Sequence, residues 1–256
     1  PPWIGVADAL DYGRASPQPG ADEATSEDCL CLNVWTPGIS AAASRPVLVY
    51  IHGGAYASGS GSSPLYDGTH LAWRGDVVVV TLNHRLNLFG YLSLDRIART
   101  EALADSGNCG QLDLVLALQW VRDNIAAFGG DAGRVTVFGQ SGGGAKIATL
   151  MAMPAAAGLF QRAATMSGQQ VTASGPLNAT ARARRFLEAI ELPPERCHEA
   201  ATLPVAPHGT LQVVAANHVD VSGTYISADK KIAVISGSEI VNVPAGTQYA
   251  DHIEEQ

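Results

Sequence analysis

A serine set between glycines at the end of an apolar run constrains this chain most. Gly139-Gln140-Ser141-Gly142-Gly143 follows Val135-Thr136-Val137-Phe138 and leads into a Gly/Ala-rich stretch from Gly144 to Met153. The β-branched and aromatic run reads as a buried strand, and the stretch after it as a helix. G-x-S-x-G at such a junction puts the serine on a sharp strand-to-helix turn with its hydroxyl exposed. Neighbours without Cβ atoms are needed there, because side chains would collide with the strand or the helix. The helix start aims free N–H groups and the positive end of its dipole at the serine. Ser141 is therefore the candidate nucleophile.

A serine nucleophile needs donors for the negative charge that develops on the carbonyl it attacks. Pro46–Ile51 is a second buried-strand pattern, and His52-Gly53-Gly54-Ala55-Tyr56 follows at its C-terminal end. Small residues let the backbone approach a substrate carbonyl, and their N–H groups donate to the oxyanion. The segment is similar to the H-G-G-G oxyanion loop of esterases and lipases.

Both motifs lie within a longer pattern. It comprises 26–37 (SEDCLCLNVWTP), 47–61 (VLVYIHGGAYASGSG), Asn83-His84-Arg85-Leu86 with Gly90, and 107–144, which ends on GQSGGG. These stretches span most of residues 1–203, and on them the chain resembles the type-B carboxylesterases, the group that includes cholinesterases. The resemblance implies the α/β-hydrolase fold, a mostly parallel central sheet with helices on both faces. It implies Ser141 as nucleophile and Gly54, Ala55 and Gly142 as oxyanion donors. The activity implied is hydrolysis of small, neutral carboxylic esters through an acyl-enzyme, with no cofactor and no metal. Two residues depart from the family at the turn. Gln140 stands where Glu is frequent and removes a negative charge. Gly142 stands where Ala is frequent and keeps the N–H. Choline esters are disfavoured, because no tryptophan lies between Ser16 and Cys29.

The same resemblance implies an acid and then a histidine well downstream of the serine. Only 115 residues follow Ser141, and the pattern fades near Leu203. At the other end, Pro1-Pro2-Trp3 already lies inside it. The sheet is therefore expected to be incomplete at both ends. His208, His218 and His252 are the candidate bases, with Asp220, Asp229 or Glu239 as the orienting acid. None stands in a recognisable context. Two further readings stay open: an esterase-fold binding module with weak or no catalysis, and a lipase or other acyl hydrolase.

Composition changes near Pro204. All 13 arginines precede it, with a single lysine, Lys146, whereas the last 53 residues hold no arginine, Trp, Phe or Cys. Apolar residues alternate there between Gly, Ser and Asn, as in short strands. We expect a carboxylesterase-like core over 1–203 and a divergent, unassigned tail over 204–256.

Charge narrows the partners. A formal net charge of −8 disfavours nucleic acid, and no apolar run is long enough to span a membrane. The expected partner is a small-molecule ester; oligomeric state is not legible. Cys29 matches one half of a disulfide of the family, but the partner position holds Ser16. Free thiols point to a reducing, cytoplasmic compartment.

Strands are expected over Val47–Ile51, Val77–Leu82, Arg134–Phe138 and Ala163–Met166, the first three parallel neighbours. Helices are expected over Gln111–Ala127 and Arg182–Ile190, with Gly129, Gly130 and Asp131 as the exit loop of the first. Trp3, Trp35, Trp73 and Trp120 read as packing residues. His84 reads as structural, and Arg85 as the partner of a carboxylate such as Asp113.

Overall fold

The computed structural model describes residues 9–98, 100–168 and 175–192. The elements run β1 (Leu32–Trp35), β2 (Arg45–Ile51), α1 (Thr69–Gly75), β3 (Val78–Leu82), α2 (Asn87–Tyr91) and α3 (Asp95–Ala98). They continue with α4 (Cys109–Asn124), β4 (Gly130–Gln140), α5 (Gly142–Ala152), β5 (Arg162–Met166) and α6 (Gly175–Ala189). The strands form one sheet in the order β1-β3-β2-β4-β5. β3 and β4 flank β2 in parallel, and β5 runs parallel to β4. The expected parallel neighbours are thus observed. β1 pairs antiparallel with β3 at the edge. Its half-polar sequence, Leu-Asn-Val-Trp, carries no run that marks a strand.

Register explains the core. Val49 stands beside Val80 on one side and Val137 on the other, so three β-branched residues form a row across the sheet. That face packs on Leu114, Leu118 and Val121 of α4 and on Ile147 and Leu150 of α5. The opposite face is covered too. Gly68, at the start of α1, lies against Val79 and Trp35, and the Tyr50 ring sits 4.4 Å from Tyr66 and 5.0 Å from Phe138. β3 is buried along its whole length, which is why its sequence is Val-Val-Val-Thr-Leu without alternation.

Several boundaries differ from expectation. α4 ends at Asn124, and Ile125–Phe128 tightens into a 3₁₀ turn that Gly129 closes with φ 82. The exit loop is only that glycine. Gly130 already pairs with Arg45, and a bulge then carries the chain to Val135, opposite Val47. Asp131 shapes the bulge by accepting the Gly133 N–H at 2.8 Å. α6 begins at Gly175, seven residues early, because Pro176 is well suited to a first helical turn. Trp73 is 71% exposed rather than packed; its neighbour Ala72 takes the inward face of α1. Trp120 packs at the core edge against Phe128, and Trp3 lies outside the described residues.

The ion pair expected of Arg85 is present. Its guanidinium meets Asp113 at 2.7 and 2.9 Å, and its own N–H donates to the same carboxylate at 2.9 Å. The pair ties the end of β3 to α4. Ser16 stands beside Cys29, where the resemblance placed a second cysteine. Both are buried, and burial pushes the Cys29 thiol up to about 11. Cys29, Cys31 and Cys109 are free. Among the described residues no helix is long and apolar enough to cross a membrane.

Candidate active site

β4, the elbow and α5 build the centre of the site. Ser141 has φ 53 and ψ −125, a conformation forced by the reversal from strand to helix. Two backbone bonds hold it: its N–H donates to Met166 at the end of β5 at 2.8 Å, and its carbonyl accepts from Ala145 at 3.1 Å. The hydroxyl does not cap α5. It therefore stays available for chemistry.

The oxyanion-loop segment lies directly against this turn. A Cβ on Gly53 would stand 3.3 Å from Ser141 Cβ, and one on Gly142 would stand 2.4 Å from the Ala55 carbonyl oxygen. Gly54 and Ala55 both have positive φ, 86° and 51°. Ser141, Gly54, Ala55 and Gly142 are thus brought together from segments 86 residues apart in sequence. Among the described residues, no acceptor takes the N–H of Gly54, Ala55 or Gly142.

The candidate bases and acids, His208, His218, His252, Asp220, Asp229 and Glu239, lie outside the described residues. Nearer the turn, His52 and His84 are fully buried and stack with centroids 4.5 Å apart and planes 7° apart. Their Nδ1 atoms face the carbonyls of Gly53 (2.8 Å) and Arg85 (3.1 Å). Each Nε2 is buried with no hydrogen-bond partner among the described residues. Burial, with help from the nearby Lys146 charge, lowers His52 to about 4; burial and the His52 charge lower His84 well below its usual value. Both are neutral scaffold residues at pH 7.

A pH dependence follows. The folded histidines resist protonation, whereas the unfolded ones accept a proton near 6.5. Their contribution to stability is complete above pH 6.5 and is lost as pH falls towards 4. For His52 alone that loss is roughly 3 kcal/mol. Thermal melts between pH 7.5 and 4.5 will show the fall. His84→Phe, which stacks without titrating, will make it shallower; an equally steep fall would mean that His84 does not contribute to it.

Sequence reading missed Lys146. Among the described residues it is the largest fully buried side chain, and its ammonium donates to the Ala55 carbonyl. The available signal was a lone lysine, the single charged residue of a helix built otherwise of Gly, Ala, Ile, Leu, Thr and Met.

Comparisons with known proteins agree with this geometry. The sequence profile of the Carboxylesterase family matches residues 1–202. The chain belongs to the carboxylesterase family. Para-nitrobenzyl esterase of Bacillus subtilis (strain 168) is 51% identical over 178 residues, covering 66% of this chain and 35% of that protein. Human carboxylesterase 3 is 52% identical over 144 residues, 56% of this chain and 24% of its own. The crystal structure of a Geobacillus stearothermophilus carboxylesterase superposes with a TM-score of 0.74 at 46% identity, covering 79% of this chain and 42% of that one. The chain thus spans about a quarter to a third of the length of these curated carboxylesterases, and its sheet is the α/β-hydrolase sheet in part. A second profile, of IgGFc binding protein, matches residues 194–256.

Proposed function

We propose that this chain carries the nucleophile half of a serine carboxylesterase acting on small, neutral esters. The observation that carries the reading is the close packing of the Gly53–Ala55 loop against the Ser141–Gly142 turn, with no acceptor among the described residues for the N–H of Gly54, Ala55 or Gly142. Ser141 Oγ adds to the ester carbonyl carbon while its proton passes to a base, which the family resemblance makes a histidine. The carbonyl oxygen becomes the oxyanion and accepts from the three N–H groups. Collapse expels the alcohol, which takes the proton back, and leaves an acyl-Ser141 ester. Water then repeats the sequence and releases the acid.

The test is covalent. A fluorophosphonate will add to the full chain, and peptide mapping will locate the adduct on Ser141. Hydrolysis of short-chain nitrophenyl esters will accompany it slowly, because the esterase unit proposed here holds no assigned histidine base. An adduct elsewhere, or none, would sink the reading in favour of a binding module. Preference for long-chain emulsified esters would turn it towards a lipase.

We further propose that the esterase unit ends near Leu203 and that 204–256 is a separate unit without a catalytic role. The loss of arginine after Pro204 and the second profile over 194–256 support this. A chain ending at Leu203 will then label with phosphonate within about twofold of the full chain's rate. A loss as deep as that of Ser141→Ala, reproduced by His218→Ala or His252→Ala, would assign the base to the tail instead.

A further inference from the structure

Lys146 is expensive where it stands. Taking an ammonium out of water costs several kcal/mol unless good partners repay it, and an apolar side chain of equal length would fill α5 without that cost. Its surroundings show what it holds. Helical side chains lean towards the helix N-terminus, so Lys146 reaches back under the elbow. Nζ donates to the Ala55 carbonyl and lies 4.6 Å from the centroid of the Tyr56 ring. Ala55 needs a restraint. It has φ 51, a left-handed conformation that a residue with a Cβ adopts at a penalty of about 1 kcal/mol. Its carbonyl is also wedged against Gly142, where no Cβ would fit.

We propose that Lys146 is a positioning residue for the oxyanion loop: its ammonium grips the Ala55 carbonyl and so keeps Ala55 left-handed, with the Gly54 and Ala55 N–H groups turned towards Ser141. The link to catalysis rests on the esterase reading above; the grip on Ala55 does not. The adjacent Tyr56 ring holds the other side of the ammonium, so carbonyl and aromatic face fix it together. Because the loop acts on charge that develops after binding, losing the grip slows turnover and leaves substrate binding alone.

Two variants of the full chain separate the parts. Lys146→Met removes the donor and the charge; Lys146→Gln keeps an N–H donor. Per phosphonate-titrated site, Lys146→Met will lower kcat about 10²-fold with KM within about twofold, and Lys146→Gln will fall between it and the parent. A crystal structure of Lys146→Met will show Ala55 out of the left-handed region. A merely structural lysine would lower the melting temperature and leave kcat per titrated site and the Ala55 conformation unchanged, which would overturn the proposal. If the parent chain neither labels nor hydrolyses esters, the esterase reading falls, and the Ala55 conformation alone decides this one. If neither variant folds, a crystal structure of the parent decides: Nζ farther than about 4 Å from the Ala55 oxygen overturns the grip.

Discussion

Ser141→Ala will form no fluorophosphonate adduct and will lose ester hydrolysis by at least about 10³-fold. The serine supplies the only protein atom in the proposed mechanism that bonds to the acyl carbon. Without it no acyl-enzyme exists, and only water held near the oxyanion donors can react. The loss will not come from unfolding. Ser141 holds its φ of 53 through backbone bonds to Met166 and Ala145, and its hydroxyl caps nothing. Alanine keeps those bonds and has the same Cβ. Stability should stay within about 0.5 kcal/mol, checked by denaturant unfolding beside the activity assay. Hydrolysis that survives in the variant would mean another nucleophile, and the elbow would then be scaffold only.

Gly143→Ala will be among the most damaging single methyl groups in the described fold. Its Cβ would stand 2.0 Å from the Ile51 carbonyl oxygen and 2.9 Å from that of His52. Both are backbone atoms at the end of β2, in the middle of the sheet, and cannot swing aside. Relief requires α5 to move off β2, which opens the core around Ile147 and drags Ser141 from the oxyanion loop. Overpacking of this kind costs about 3 kcal/mol or more. The denaturation midpoint will drop accordingly, and phosphonate labelling will drop with it. Gly38→Ala is the control, since a Cβ there meets nothing within 4 Å and φ is not positive. It should stay within about 0.5 kcal/mol of the parent. Equal effects at the two sites would mean that glycine entropy, not the collision, sets the cost.

The glycines explain why so much of the site was legible. The turn at 139–143 accepts a Cβ at Gln140 and Ser141 but not at Gly139, Gly142 or Gly143, where it would meet the Ile51 or Ala55 backbone, so its glycines mark a close approach of backbone. The apolar runs of β2, β3 and β4 announced a covered parallel sheet for a similarly local reason: a strand with helices on both faces has no polar side to show. β1 was silent because an edge strand of four half-exposed residues needs no such run. The bulge at Asp131 was silent because strand pairing across it depends on Arg45 and Val47, far away in sequence. The candidate bases His208, His218 and His252 lie beyond the described residues, so their position was tested by neither route.

By itself, then, the sequence determined what five to fifteen neighbouring residues decide among themselves: the elbow at Ser141, the small-residue loop at Gly54 and Ala55, the period of α4 and the pairing chemistry of Arg85. Which distant groups meet was decided by tertiary packing alone. Lys146 reaches the Ala55 carbonyl across 91 residues, and His52 stacks on His84 only because β2 and β3 end side by side. Periodicity carries no information about such contacts. They form because the sheet sets its strand ends next to one another, and burial then leaves each polar group only the partners it finds there.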